Sequence, residues 1–160
     1  MNDTKNWTKD PRLEATPAAA VQTMRMLYAG VIAALTALGT VIGFILVSTG
    51  ASGSGLVQMP IPFIGIGASI MVFAALIVAP ILRVKAWGTL VGNAEVPLPA
   101  QVNAYGNGAL LYGVIFAVSG LFGVFAALFD GMIFLVLPVV AIVGVLIGWP
   151  RRSHFREPAS

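Results

Sequence analysis

Cysteine is absent from the 160 residues, there is a single histidine, and only 9% of the residues are charged. Without a thiol there is no disulfide framework, no thiolate nucleophile and no sulfur-ligated metal or iron–sulfur cluster. A soluble domain carries about 25% charged residues on its surface, and at 9% a solvated enzyme core is excluded. What fills the chain instead is apolar: 58% of residues are hydrophobic and the mean hydropathy is +0.93. Such a chain belongs in a bilayer.

About 30 Å of hydrocarbon requires roughly 20 apolar residues at 1.5 Å rise each. Four stretches are predicted to cross it: 26–48, 61–82, 108–129 and 132–149. Runs such as Val31-Ile32-Ala33-Ala34-Leu35 and Phe134-Leu135-Val136-Leu137 are apolar on every side, which reads as helix and not as the alternation of a β-barrel strand. The first run is longer than a signal-peptide core and follows a long polar tail, so it reads as a retained span. The Ala51-Ser52-Gly53 stretch reads as a loop.

Lysine and arginine accumulate on the cytoplasmic side of short loops. Lys5, Lys9, Arg12 and Arg25 precede the first span, Arg83 and Lys85 follow the second, and Arg151, Arg152 and Arg156 follow the fourth. The 49–60 loop and the Asp130-Gly131 turn contain none. The expected protein therefore lies in the cytoplasmic (inner) membrane with both termini in the cytoplasm. The pI near 9.7 follows from this asymmetry and implies contact with anionic lipid headgroups, not with nucleic acid.

Thr16 can cap a helix whose first residue is Pro17, leaving 1–16 as a disordered cytoplasmic tail. Pro99 suits the first position of the third helix. Asp130-Gly131 permits only a tight antiparallel turn, with Gly131 ending the third helix and Asp130 placed as a charge at the start of the fourth. Pro138, inside the fourth span, is expected to kink it. At one constant offset Leu27, Gly30, Val31, Ile32, Ala34, Leu38 and Val41 recur as Leu110, Gly113, Val114, Ile115, Ala117, Leu121 and Val124, and Thr36 meets Ser119. Both halves also end in proline followed by arginine, at Pro80 to Arg83 and Pro150 to Arg151. The expected fold is all-α: four transmembrane helices as two tandem antiparallel hairpins, a parallel internal repeat with axis along the membrane normal. The first hairpin covers 17–88, a cytoplasmic loop 89–98, the second hairpin 99–150 and a basic tail 151–160.

Moving a proton or cation through a bundle requires an ionisable group inside the hydrocarbon, and no span has one in its central part. Two glycine-rich hairpins superficially resemble the duplicated proteolipid of rotary proton pumps, but where that family carries its carboxylate this chain has Gly144-Val145-Leu146. Small multidrug exporters have four helices too, and depend on a glutamate in the first that is missing here. His154 lies among Arg151, Arg152 and Arg156 and reads as a solvated tail residue, not a haem ligand. Met24, Met26, Met71 and Met132 fill packing gaps. Gly106-Asn107-Gly108 falls short of a phosphate loop. No catalytic, metal or cofactor site is expected.

What remains is packing. Gly39 and Gly43 form one GxxxG pair and Gly144 and Gly148 another, and Ser119, Gly123 and Ala127 make a small-residue stripe on the third helix. These stripes either close the bundle itself or present an outward interface. Thr36, Thr40, Ser69 and Ser119 can bond their own helix backbones and so require no pore. Tyr28, Trp87 and Trp149 lie where spans meet headgroups and are expected to anchor there.

The entry into the first span, Gln22-Thr23-Met24-Arg25-Met26-Leu27-Tyr28-Ala29-Gly30, its looser echo at the third, and the basic end Trp149-Pro150-Arg151-Arg152 resemble a group of small bacterial four-helix membrane proteins built from a doubled hairpin. At the start of the third helix, where that group carries charged residues, this chain has Gly108-Ala109-Leu110. The resemblance implies a fold and a location but no activity. Three functional readings stand: a non-enzymatic accessory or scaffold subunit of a membrane complex, an oligomeric channel or transporter for an uncharged or lipid-like solute, and a surface adaptor recruiting a soluble partner. The expected partners are the lipid bilayer and other membrane subunits or further copies of the chain.

Overall fold

A computed structural model describes residues 16–56 and 62–155. The expected disordered tail, with Lys5, Lys9 and Arg12, and the end of the chain, with Arg156, lie outside these residues, as does the expected start of the second span at Ile61. Among the described residues the protein is all-helical: α1 (Pro17–Ser48), α2 (Phe63–Trp87), α3 (Leu98–Asp130) and α4 (Val136–Ile147). The first three are long and apolar enough to cross a membrane. A tight 3-10 turn, Met132–Leu135, precedes α4. Together these two run roughly 26 Å by their rise per residue, somewhat less than the hydrocarbon thickness.

α1 starts as its sequence dictates. Thr16 is extended and its Oγ1 accepts from the Ala19 N–H at 3.2 Å, with Pro17 in the first turn where no donor is wasted. α3 starts one residue earlier than Pro99 suggests, at Leu98. Gly131 ends α3 at φ 114°, a conformation open to glycine, with Gly53 of the α1–α2 loop close against it. That loop is tied to the α3–α4 turn by Leu56 N–H to Leu128 O and by Met132 N–H to Ser52 O, both 2.9 Å.

One proline acts differently from expectation, and α2 is longer than expected. Pro138 falls in the first turn of α4, where its missing N–H costs nothing, and the preceding 3-10 turn absorbs the change of pitch in place of a mid-helix kink. α2 runs through Pro80 and on past Leu82, the expected end of the second span, to Trp87, carrying Arg83 and Lys85 on the helix.

The arrangement also differs from two packed hairpins. α3 is the central helix, packed by α1, α2 and α4, whereas α1 and α2 form no packed pair among the described residues. Composition explains the choice. Gly108, Gly113, Gly120, Gly123, Ala109 and Ala127 give α3 small residues around much of its circumference, so neighbours approach it closely on several sides. Half of its apolar segment is buried, against 17% for α1, which rests on the bundle by one narrow face. α1 runs parallel to α3, since Tyr28 reaches Ala109 and Leu35 reaches Gly120, and residues matched by the internal similarity lie at about the same level. α2 and α4 run the other way. Arg25, Arg83, Lys85 and Arg151 consequently gather at one end of the molecule, and Asp130 stands at the other.

Candidate functional site

The glycines sort into two kinds. On α3 and α4, with the exception of Gly106 near the start of α3, they are sockets. Phe116 occupies the space above Gly144, Tyr112 that above Gly148, and Leu137 with Pro138 that above Gly123. Ser119 and Ala127 on the same α3 face are 2% and 0% exposed, and the Ser119 hydroxyl donates to its own helix at Ile115 O. Phe134 against Gly65, Trp87 against Gly108 and Tyr28 against Gly113 repeat the pattern. A large side chain seated on bare backbone supplies the dispersion contacts that must hold helices together where lipid is as apolar as leucine.

α1 is different. Gly39 has no atom within 4 Å of where a Cβ would stand, and Gly43 meets only the flexible Leu135 side chain at 3.3 Å. The pair lies along an apolar groove of about 600 Å³ between α1 and α4, lined also by Thr36, Thr40, Phe44, Val47, Val139 and Ile142. Thr36 and Thr40 donate to Ile32 O and Thr36 O, both at 2.8 Å, so the groove carries no unpaired hydroxyl donor on that face. Phe44 and Val47, 73% and 60% exposed, flank it. In a bilayer such a groove is a site for another apolar surface.

A second cavity, of about 340 Å³ and lined by Arg83, Arg151 and His154 among apolar and aromatic side chains, lies at the basic end between α2 and α4. Arg83 projects into the bundle there with only 9% exposure. Its Nη1 donates to Gly148 O at 2.9 Å and its guanidinium sits 4.4 Å from the Trp87 ring centre and 5.1 Å from that of Tyr112. Residues 148–155, which follow α4, are docked against this end. Arg25 Nε donates to Pro150 O at 3.0 Å, and the Arg151 N–H donates to the Tyr105 hydroxyl at 3.0 Å. His154, expected in solvent, is half-buried with its ring 4.9 Å from Trp87 and 5.7 Å from Tyr105.

Of the three expected anchors, Trp87 and Trp149 are half-buried at this basic end. Tyr28 faces the protein at 1% exposure, stacked with Tyr112, edge-on to Trp149, and donating to Ala109 O at 2.8 Å. Its hydroxyl finds its partner inside the bundle and not in the headgroups. Asp130 does not serve α4. Its carboxylate accepts from the Gly65 N–H, near the start of α2, whose own preceding residue, Pro62, offers no capping side chain. Charge and acceptor thus reach the first-turn donors of α2 from α3.

Two contributors lack a pattern in the sequence. Gln101, fully buried, binds the α2–α3 connection by donating to Asn93 O and Val96 O, both 2.9 Å, and accepting from Gly92 N–H at 3.3 Å. Arg83 reads as a loop charge until α2 is seen to extend past it. A glutamine two residues after Pro99, following a glycine- and asparagine-containing loop, is the one signal that could have flagged the clamp. Comparison with protein-family models, curated proteins and solved structures gives no match.

Proposed function

We propose that the chain is a non-enzymatic multi-pass protein of the cytoplasmic membrane, both termini inside, that acts as an accessory or scaffold subunit by offering the open face of α1 to a partner helix. The observation that carries this reading is the contrast between glycines. Those of α3 and α4, Gly106 apart, are filled by the protein's own side chains, while Gly39 faces an unfilled apolar groove. Small residues flanked by apolar ones are what a second transmembrane helix packs against.

The gathering of Arg25, Arg83, Lys85 and Arg151 at one end supports the orientation through the bias of basic residues to the cytoplasm. The matched residues of α1 and α3 support descent from one duplicated segment, although the two halves now pack differently. The size and apolar lining of the groove also suit the second reading, an oligomeric carrier of a lipid-like solute. Gentle detergent extraction followed by mass measurement separates them. The subunit reading expects co-purification in a stoichiometric complex; a pure homo-oligomer favours the carrier, and a lone monomer refutes the subunit.

A further inference from the structure

The cavity at the basic end holds a charge that no described residue balances. A guanidinium has five N–H donors, and Arg83 uses one of them, toward Gly148 O. Its Nε is buried with no hydrogen-bond partner among the described residues. Among the described residues no carboxylate lines the cavity: Asp130 stands at the far end and Glu95 lies in the α2–α3 connection. Trp87 and Tyr112 faces soften the cost of burial but do not supply a counter-charge. Arg151 lines the same cavity and adds a second, exposed cation, and the His154 ring stands beside it. A buried cation is costly unless an anion meets it.

The position of the cavity selects the anion. Its outer wall is formed by Pro80, Val84 and Ile147, and the latter two are 64% and 73% exposed on faces that a membrane would cover with acyl chains. Trp87 and Trp149 flank it, the residue type that marks headgroup depth. At about 340 Å³ it is at the small end of ligand clefts, about 300–1,000 Å³. A phosphate group entering here meets Arg83 and Arg151, while its hydrocarbon lies along Val84 and Ile147. We propose that this cavity binds the phosphate headgroup of an anionic phospholipid, with Arg83 as the buried counter-charge and Arg151 as the rim contact. The assignment is independent of any partner on α1, which lies on the other side of α4.

The test uses the full-length chain in detergent, with native mass spectrometry of bound dioleoyl phosphatidylglycerol against dioleoyl phosphatidylcholine at equal concentration. Wild type retains the anionic lipid preferentially. Arg151→Gln lowers that preference about fivefold, the equivalent of about 1 kcal/mol per basic residue at the surface, and R83Q with R151Q abolishes it. Lys85→Gln, which removes a cation of α2 that does not line the cavity, leaves it unchanged. Should R83Q fail to fold, Arg83→Lys combined with R151Q carries the test, since it keeps a charge but not the planar fork, and must weaken binding beyond R151Q alone. Equal retention of the two lipids overturns the proposal, as does a K85Q effect equal to that of R151Q. Displacement of phosphatidylglycerol by an equal concentration of inorganic phosphate overturns the lipid in favour of a soluble anion.

Discussion

Adding one methyl group to either of two glycines distinguishes packing inside the bundle from packing outside it. In Gly123→Ala the new Cβ would stand 2.6 Å from Leu137 Cβ, 2.9 Å from Pro138 Cδ and 3.1 Å from Pro138 N. Carbon atoms in contact sit about 3.5–4.0 Å apart, and none of these three atoms can swing away by a change of rotamer. α3 and α4 must therefore part by roughly 1 Å, an overpacking cost of about 1–3 kcal/mol. In Gly39→Ala the methyl enters empty space. Both substitutions gain the same intrinsic helix preference of alanine over glycine, about 1 kcal/mol. The difference between the two variants isolates the overlap, so G123A is less stable than G39A by about 1–3 kcal/mol. Titration of each purified protein with a denaturing detergent, followed by circular dichroism, reads that difference. A G123A variant as stable as G39A would refute the socket arrangement of α3 and α4.

Other consequences can be read with similar ease. Asp130→Ala removes the carboxylate at the start of α2 and destabilises the protein by about 1–2 kcal/mol, with faster amide exchange at Gly65; unchanged exchange there would show that the carboxylate caps nothing. Gln101→Leu leaves Gly92 N–H and the Asn93 and Val96 carbonyls without their partner, a loss of about 2–3 kcal/mol. A glutamate-specific protease is then expected to cut after Glu95 sooner than in wild type. A reporter that is active only outside the cytoplasm, fused after Ser160, stays silent, whereas a strong signal would invert the orientation.

The sequence made helical crossings legible because apolar runs and helix-start chemistry are local: Thr16-Pro17 opens α1 and Gly131 closes α3 as their types demand. Proline's effect, by contrast, depends on its distance from a helix start. The start of α4 is displaced to Val136 by the 3-10 turn, which makes Pro138 harmless. The glycine stripes were visible, but which of them faces inward is decided by tertiary packing: Gly144 and Gly39 look alike in sequence, and only one meets a Phe116. Asp130 and Tyr28 were misplaced for the same reason, since their partners, Gly65 and Ala109, are 65 and 81 residues away. Arg83 reads in sequence as a charge following the second span, and its burial follows from α2 running on through Pro80 to Trp87.

The absence of cysteine provides the most direct check on the open face of α1, because one introduced thiol is the only one in the chain. Thr40→Cys places it in the groove beside Gly39, and Ile77→Cys places a control on the exposed side of α2. Treated in native membranes with a short bifunctional thiol or photoactivated cross-linker, the T40C protein is expected to form one discrete adduct with a different polypeptide, lost when Gly39 and Gly43 are both replaced by leucine, while I77C forms none. Adducts no more frequent at position 40 than at position 77, or unaffected by the leucine replacements, would contradict the account.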